Sequence, residues 1–198
     1  MYGRRNPFVA KEGLPLLALA LVAAILLIRQ HELLLAMIPA VLFMLLYGVF
    51  RDPRRSVPSV ALGVCCPVDG EVTEVSRTEA GATGAPALRI VISVDILGTY
   101  TARAPVEGSI GELGKKALWL QTDEGEDVVL KFSGYRLGMA PRAFVKFGER
   151  LGQGQRCAYL RLTRTAEVQL PVDGMVFVQP GQTVVAGTDI IANVRGPR

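Results

Sequence analysis

The apolar residues divide this chain into two regimes. Leu14 to Ile28 is an uninterrupted apolar run, Arg29-Gln30-His31-Glu32 breaks it, and Leu33 to Phe50 is a second run. At the rise of an α-helix these runs extend roughly 22 and 27 Å. The second nearly crosses the hydrocarbon core of a bilayer, and the first is shorter. Neither has a polar face, which argues against two helices packed in a soluble core. A cleaved leader is the competing reading of the first run, but the break before the second run, Arg29-Gln30-His31-Glu32, holds no small-x-small cleavage site. The pattern predicts a helical hairpin over residues 1–50, spanning a membrane or deeply embedded in one. Pro39 lies within the second run, where membrane helices tolerate it.

From Arg51 the pattern changes. Arg51-Asp52-Pro53-Arg54-Arg55-Ser56-Val57-Pro58 ends the helix. Its prolines and arginines predict a stiff basic collar over residues 51–62, at the depth of lipid headgroups. Residues 63–198 read as short strands separated by turns. Pro67-Val68-Asp69-Gly70, Pro105-Val106-Glu107-Gly108 and Pro171-Val172-Asp173-Gly174 repeat one motif. Proline fixes φ, the acidic-Gly pair makes the turn, and a strand follows. Alternation of apolar and polar residues from Ala158 to Leu170 predicts one long strand with a buried face. The predicted fold is therefore mostly β: the hairpin, then an all-β barrel or sandwich-like domain with internal repeats. Residues 79–86 read as a flexible loop, and Asp123 to Asp127 as a solvated acidic hairpin tip.

Charge sets the orientation and narrows the partners. Arg4, Arg5 and Lys11 precede the hairpin, Arg51, Arg54 and Arg55 follow it, and its turn offers Arg29 alone. The positive-inside rule then puts both ends of the hairpin, and the β domain, in the cytoplasm at the inner membrane. From Arg51 onward 18 basic residues face 16 acidic ones. That balance is too mild for a nucleic-acid partner. The three cysteines lack C-x-x-C spacing and the single histidine is His31, so no metal site is expected. Buried, reduced thiols are the expectation for Cys65, Cys66 and Cys157. With no histidine after residue 31, a Ser-His-Asp arrangement cannot form in the β domain. Asp69, Glu107 and Asp173 each sit in a turn motif, where forming the turn is their first role.

Several segments together resemble the short, membrane-anchored bacterial and archaeal form of the phosphatidylserine decarboxylase family. They are the hairpin, the Phe50-Arg51-Asp52-Pro53 collar, Pro67-Val68-Asp69-Gly70, Arg103-Ala104-Pro105-Val106, the Arg142 region, the strand near Arg164, and Pro180-Gly181-Gln182. The resemblance implies a chain that cuts its own backbone at a serine, helped by an aspartate and a histidine. The cut leaves a pyruvoyl group that forms a Schiff base with phosphatidylserine. That group serves as the electron sink for decarboxylation in phosphatidylethanolamine synthesis.

Carried over by position, the family aspartate falls on Asp69, the histidine on Tyr100 and the serine on Arg164. Tyrosine, with a pKa about 10, is a poor base near neutrality, and arginine has no hydroxyl with which to attack a carbonyl. The glycine before the serine is Thr163 here. A strand slip would turn the hydroxyls of Thr163 and Thr165 to the opposite face. The resemblance thus implies a non-catalytic relative that binds phospholipid or a partner protein, with no cofactor, and with pyruvoyl only if the chain is cut. The alternatives are an active decarboxylase with an atypical cleavage residue, and a membrane adaptor with a barrel-sandwich domain of the biotinyl or lipoyl type. Lys115, Lys116 and Lys146 do not match the carrier lysine of those domains. Arg103, Arg142 and Arg164 are the candidate headgroup-binding residues. Surface ion pairing is the competing role for Arg103 and Arg142, whereas Arg164 is expected inside a pocket with Asp69, Glu107 or an anion as partner. The partners implied are a phospholipid membrane, phosphatidylserine among its lipids, and a homo-oligomer or membrane complex.

Overall fold

The computed structural model describes residues 8–58, 60–113, 117–135 and 139–195; Arg4, Arg5, Lys115 and Lys116 fall outside them. It divides into two compact units, one up to Arg54 and one from Arg55.

In the first unit a short 3-10 turn, Lys11–Gly13, leads into α1 (Leu14–Arg29), with Pro15 in its first turn, and then α2 (Leu33–Phe50). His31 makes the tight reversal with φ of 63°. Leu17, Ala20, Ala24 and Ala36 are buried, most of them small, whereas Leu19, Leu34, Ile38 and Met44 are exposed. An exterior of bare leucine, isoleucine and methionine is what lipid rather than water solvates. Both helices are long and apolar enough to cross a membrane.

The second unit is built of strands β1 (Gly63–Cys65), β2 (Gly70–Thr78), β3 (Ala87–Val94), β4 (Thr101–Arg103), β5 (Gly108–Leu113), β6 (Ala117–Gln121), β7 (Asp127–Ser133), β8 (Arg142–Ala143), β9 (Arg150–Leu151), β10 (Arg156–Tyr159), β11 (Thr165–Pro171), β12 (Met175–Val176), β13 (Thr183–Val184) and β14 (Ile190–Asn193). An eight-stranded sheet runs β13-β2-β3-β11-β7-β6-β5-β9, and two three-stranded sheets run β1-β14-β12 and β4-β10-β8. The end strands β13 and β9 do not pair, so the large sheet is open and the unit is sandwich-like rather than a closed barrel. Every strand pair is antiparallel. The core between the sheets includes Val64, Val68, Ile90, Ile92, Ile110, Leu120, Leu130, Val168 and Ile191.

Two of the three repeated turns are built alike and bind each other. Cys65 N–H donates to the Pro105 carbonyl at 2.7 Å, and Arg103 N–H donates to the Pro67 carbonyl at 2.9 Å. Each donor lies two residues before the proline of its own motif. Each motif also holds a second segment in the same register. Gly187 N–H donates to Cys66 O and Gly181 N–H to Val72 O, as Gly154 N–H does to Ala104 O and Gly148 N–H to Ile110 O. In return, Val72 N–H donates to Gln182 O and Ile110 N–H to Glu149 O. The domain is therefore an internal duplication whose halves are interlocked. The glycine closing each motif is required by close approach: a Cβ on Gly70 would collide with Ser93 O, and one on Gly108 with Gln121 O. The third motif departs from the other two. Val68 and Val106 are buried, but Val172 is exposed, and Gly174 N–H only closes its own turn on Pro171 O.

The long strand expected from Ala158 to Leu170 is interrupted. β10 ends at Tyr159 and belongs to a three-stranded sheet, whereas β11 begins at Thr165 in the large sheet. Between them Arg161 takes φ of 53°, and Thr163 N–H closes a turn on Leu160 O at 3.0 Å. The chain changes sheets at this left-handed residue, although the alternation of side chains continues through it.

Gly70→Ala and Gly108→Ala should each destabilise the fold by about 2–3 kcal/mol, because the clashing atoms are backbone and cannot rotate away. Thermal unfolding in detergent should show this as a Tm lowered by roughly 4–12 °C, scaled to a domain of this size. Gly48→Ala, whose Cβ would meet nothing within 4 Å, should leave Tm unchanged or slightly raised.

Candidate functional site

The positions singled out by sequence lie in loops at one end of the large sheet. There β2 begins, β3 ends and β11 begins, with Gly70 opposite Val94 and Thr165 opposite Ser93. Backbone bonds tie the loops together. Asp95 N–H donates to Asp69 O at 2.9 Å, Val94 N–H to Arg164 O at 2.8 Å, and Leu160 N–H to Tyr100 O at 2.9 Å. Asp69, Tyr100 and Arg164, distant in the chain, are thus brought to one rim.

Their side chains are in three different situations. Asp69 is mostly buried and its carboxylate is engaged on both oxygens. Oδ2 accepts from Thr99 N–H at 2.9 Å and from Arg55 at 3.1 Å, and Oδ1 accepts from Ala186 N–H at 2.8 Å. It joins the turn before β2 to the loop before β4, to the segment after β13 and to the basic collar. Tyr100 is half-buried and leans on Tyr159, with ring centroids 5.9 Å apart; Tyr159 in turn leans on Phe144 at 4.9 Å. Arg164 is held by its backbone, its N–H reaching Ser133 O at 3.4 Å, while its side chain is exposed. The enclosed charge expected at Arg164 is therefore not found. The turn before β11 closes with the arginine side chain pointing to solvent, and among the described residues it forms no ion pair.

The other two candidate arginines are placed apart from each other. Arg103 is almost completely buried: Nη1 donates to Gly154 O at 3.1 Å, and its stem packs where a side chain on Gly187 would otherwise sit. Neither role expected for it, a surface ion pair or a pocket-lining donor, describes this position. Arg142 is exposed on β8, opposite Tyr159. Arg103, Arg142 and Arg164 do not line one enclosed pocket among the described residues. Glu107, at the place in the duplicate that Asp69 holds in its own motif, is exposed and pairs with Arg150, which also binds Asp123. Asp123, expected to be a solvated tip residue, is thus tied back to β9.

Sequence reasoning missed three features of the rim. Arg55 is the cation facing Asp69, and the basic collar offered no sign that it reaches the turn. Thr99 and Ala186 engage Asp69 through backbone, which composition cannot reveal. Thr163 is buried, and its hydroxyl has no hydrogen-bond partner among the described residues. Two clefts lie away from this rim. One of about 320 Å³ is lined by Glu126, Asp127, Gln169 and Asp173, and one of about 390 Å³ by Leu62, Glu107, Asp123 and Gln153. No group of three or more metal-ligating side chains occurs among the described residues. The cysteines are buried and free. Burial pushes the Cys65 thiol up to about 12, and raises Cys66 and Cys157 as well.

No family model matches the chain. It is similar along nearly its whole length to curated proteins named phosphatidylserine decarboxylase proenzyme. The protein of that name from Burkholderia ambifaria (strain MC40-6) is 26% identical over 208 residues, covering 96% of this chain and 97% of its own. That from Paraburkholderia phymatum is 27% identical, covering 96% and 98%, and that from Burkholderia mallei (strain SAVP1) is 27% identical, covering 96% of each. Among solved structures, the glucose permease IIA from Mycoplasma capricolum matches with a TM-score of 0.51 at 18% identity, over 68% of this chain and 96% of that one. At that identity the likeness is one of fold alone.

Asp69→Ala should cost about 2–4 kcal/mol, because it strands two backbone N–H groups and the Arg55 guanidinium together. Asp69→Asn, which keeps an acceptor, should cost less, and chemical denaturation of the two variants separates them. The thiols should resist iodoacetamide at pH 8 in the folded protein, since at the raised pKa of Cys65 roughly one thiol in ten thousand is thiolate. Denaturant should expose all three to alkylation, as counted by mass spectrometry.

Proposed function

The chain belongs to the phosphatidylserine decarboxylase family, and from that membership we propose that it is a membrane-anchored, phospholipid-facing relative that leaves its own backbone intact. The observation that carries the proposal is the residue at the head of β11. By the resemblance Arg164 falls on the family's cleavage serine; its backbone is bonded to Val94 and Ser133, and its side chain carries no hydroxyl. Self-cleavage at a serine starts when the hydroxyl oxygen attacks the carbonyl before it, and a guanidinium that stays protonated cannot do this. The residues here do not fit a pyruvoyl group made from the chain itself, so no step is derived through one.

The other two positions favour the same reading. A base must accept a proton near neutral pH, and a phenol leaning on a second aromatic ring is poorly suited to that. Both oxygens of the Asp69 carboxylate are taken up in joining the loops and the collar. Asp69, the position retained, builds the rim, and the two positions that differ carry side chains unsuited to the family's chemistry. Resemblance to decarboxylases along the whole length favours this family over a barrel-sandwich adaptor. The two apolar helices favour a membrane as the place of work, and the basic residues on either side of the hairpin favour a cytoplasmic β domain.

A second reading, an active decarboxylase with an unusual cleavage residue, is favoured by one observation. The Thr163 hydroxyl is buried and unpartnered one residue before Arg164. An attack by that oxygen would break the chain before Thr163 and leave a ketobutyryl rather than a pyruvoyl cap.

Intact mass spectrometry of the purified protein decides between these readings. The proposal expects one species at the full 21.3 kDa and no phosphatidylserine-dependent release of carbon dioxide. Two fragments divided between Leu162 and Thr165, the shorter capped by an α-keto acyl group, would establish the active reading; Thr163→Ala should then abolish the cut.

A further inference from the structure

The rim that holds Asp69, Tyr100 and Arg164 also carries large exposed apolar side chains. Ile96 and Leu97, at the tip of the loop between β3 and β4, are 86% and 75% exposed, and Leu162, in the turn between β10 and β11, is 42% exposed. These two loops are neighbours, because the strands beneath them pair up to Thr165 and Ser93, and Val94 N–H bonds Arg164 O just above. Tip placement is built in locally: Asp95 Oδ1 caps Leu97 N–H at 3.0 Å, and Gly98 N–H closes the loop on Asp95 O at 3.1 Å. The loop is thus a defined turn that holds two hydrophobic residues out into solvent.

The charges around these residues are mostly of one sign. Arg164 is exposed two residues after Leu162, with its carbonyl bonded to Val94 at the foot of the Ile96 loop, and Arg142 is exposed opposite Tyr159, the last residue of β10. On the acidic side, Asp69 is neutralised by Arg55, and Asp95 is the remaining carboxylate of the loop. Apolar tips ringed by arginines match the chemistry of an anionic bilayer surface, with acyl chains below and phosphate above. The opposite end of the sheet is different in kind: its β6–β7 turn carries the exposed carboxylate of Glu124, Asp123 and Glu126 are paired with Arg150 and Arg195, and the turn offers no large apolar side chain.

We infer that the Ile96-Leu97 loop and Leu162 insert into the interfacial layer of an anionic phospholipid membrane, while Arg164 and Arg142 contact lipid phosphates. This rests on the reading of the chain as a membrane-anchored, phospholipid-facing protein and deepens it, by assigning the face of the β domain that meets the lipid. It gives Arg164 a role outside a pocket: the arginine that removes the cleavage hydroxyl places a cation at the headgroup layer.

The test uses the full-length protein reconstituted into vesicles. The native thiols are buried, so a single cysteine introduced as Leu97→Cys or Leu162→Cys can be labelled selectively with an environment-sensitive fluorophore. Glu124→Cys serves as the control at the far end. In vesicles of phosphatidylcholine mixed equally with phosphatidylglycerol, labels at 97 and 162 should shift to the blue and be quenched by lipids brominated in the acyl chain. The label at 124 should do neither. In pure phosphatidylcholine the quenching should fall, and Arg164→Ala should weaken it roughly fivefold in the anionic vesicles.

If the protein floats with the vesicles while the labels at 97 and 162 stay in water, the inference is overturned and the anchored reading stands. A blue shift that brominated lipid does not quench would also overturn it, assigning the tips to a protein partner or a second copy. Failure of the protein to float with vesicles of either kind would remove both the anchored reading and the inference drawn from it.

Discussion

The β domain depends on a reciprocal pair of backbone hydrogen bonds, from Cys65 to Pro105 and from Arg103 to Pro67. They fasten the two equivalent turns to each other at the centre of the duplicated arrangement. Each turn then fixes the start of a strand, β2 or β5, and each strand collects its own short edge partner, β13 or β9. Proline donates no hydrogen bond but its carbonyl accepts one, so placing it at the acceptor position costs the network nothing. A single arrangement used twice thus organises a domain in which few strands exceed seven residues.

Near this centre lies a cation. Arg103 belongs to the second motif by sequence, and its side chain fills space left open by Gly187 of the segment held by the first. A buried guanidinium is tolerated when its donors find acceptors, and Gly154 O supplies one of them. The same arginine stands beside Cys65 and opposes, only in part, the rise that burial imposes on that thiol. Packing of the duplicated core and the chemistry of its polar groups are therefore coupled through one side chain.

What could be read from the sequence follows the range of the forces involved. The helices were legible because apolarity is a property of the residues themselves, and the repeated turns because proline and glycine act locally. The clasp between the turns was not, since it joins residues forty positions apart through backbone groups that every residue carries. The break between β10 and β11 was hidden because Leu160 and Leu162 keep the strand's period while Arg161 turns left-handed. Arg103 was misplaced because the glycines that make room for it are distant in the chain. At the rim, both the gathering of Asp69, Tyr100 and Arg164 at one end of the sheet and the pairing of Asp69 with Arg55 needed the fold.

The placement of β11 bears on what the covalent link ahead of it is needed for. This strand lies inside the large sheet, paired along its length with β3 on one side and with β7 on the other. A scission ahead of it would leave the downstream portion clamped by two ladders, and the left-handed turn before it already separates it from β10. The architecture is thus indifferent to whether the covalent link is there. The strand keeps its place through its lateral neighbours rather than through the segment that leads into it.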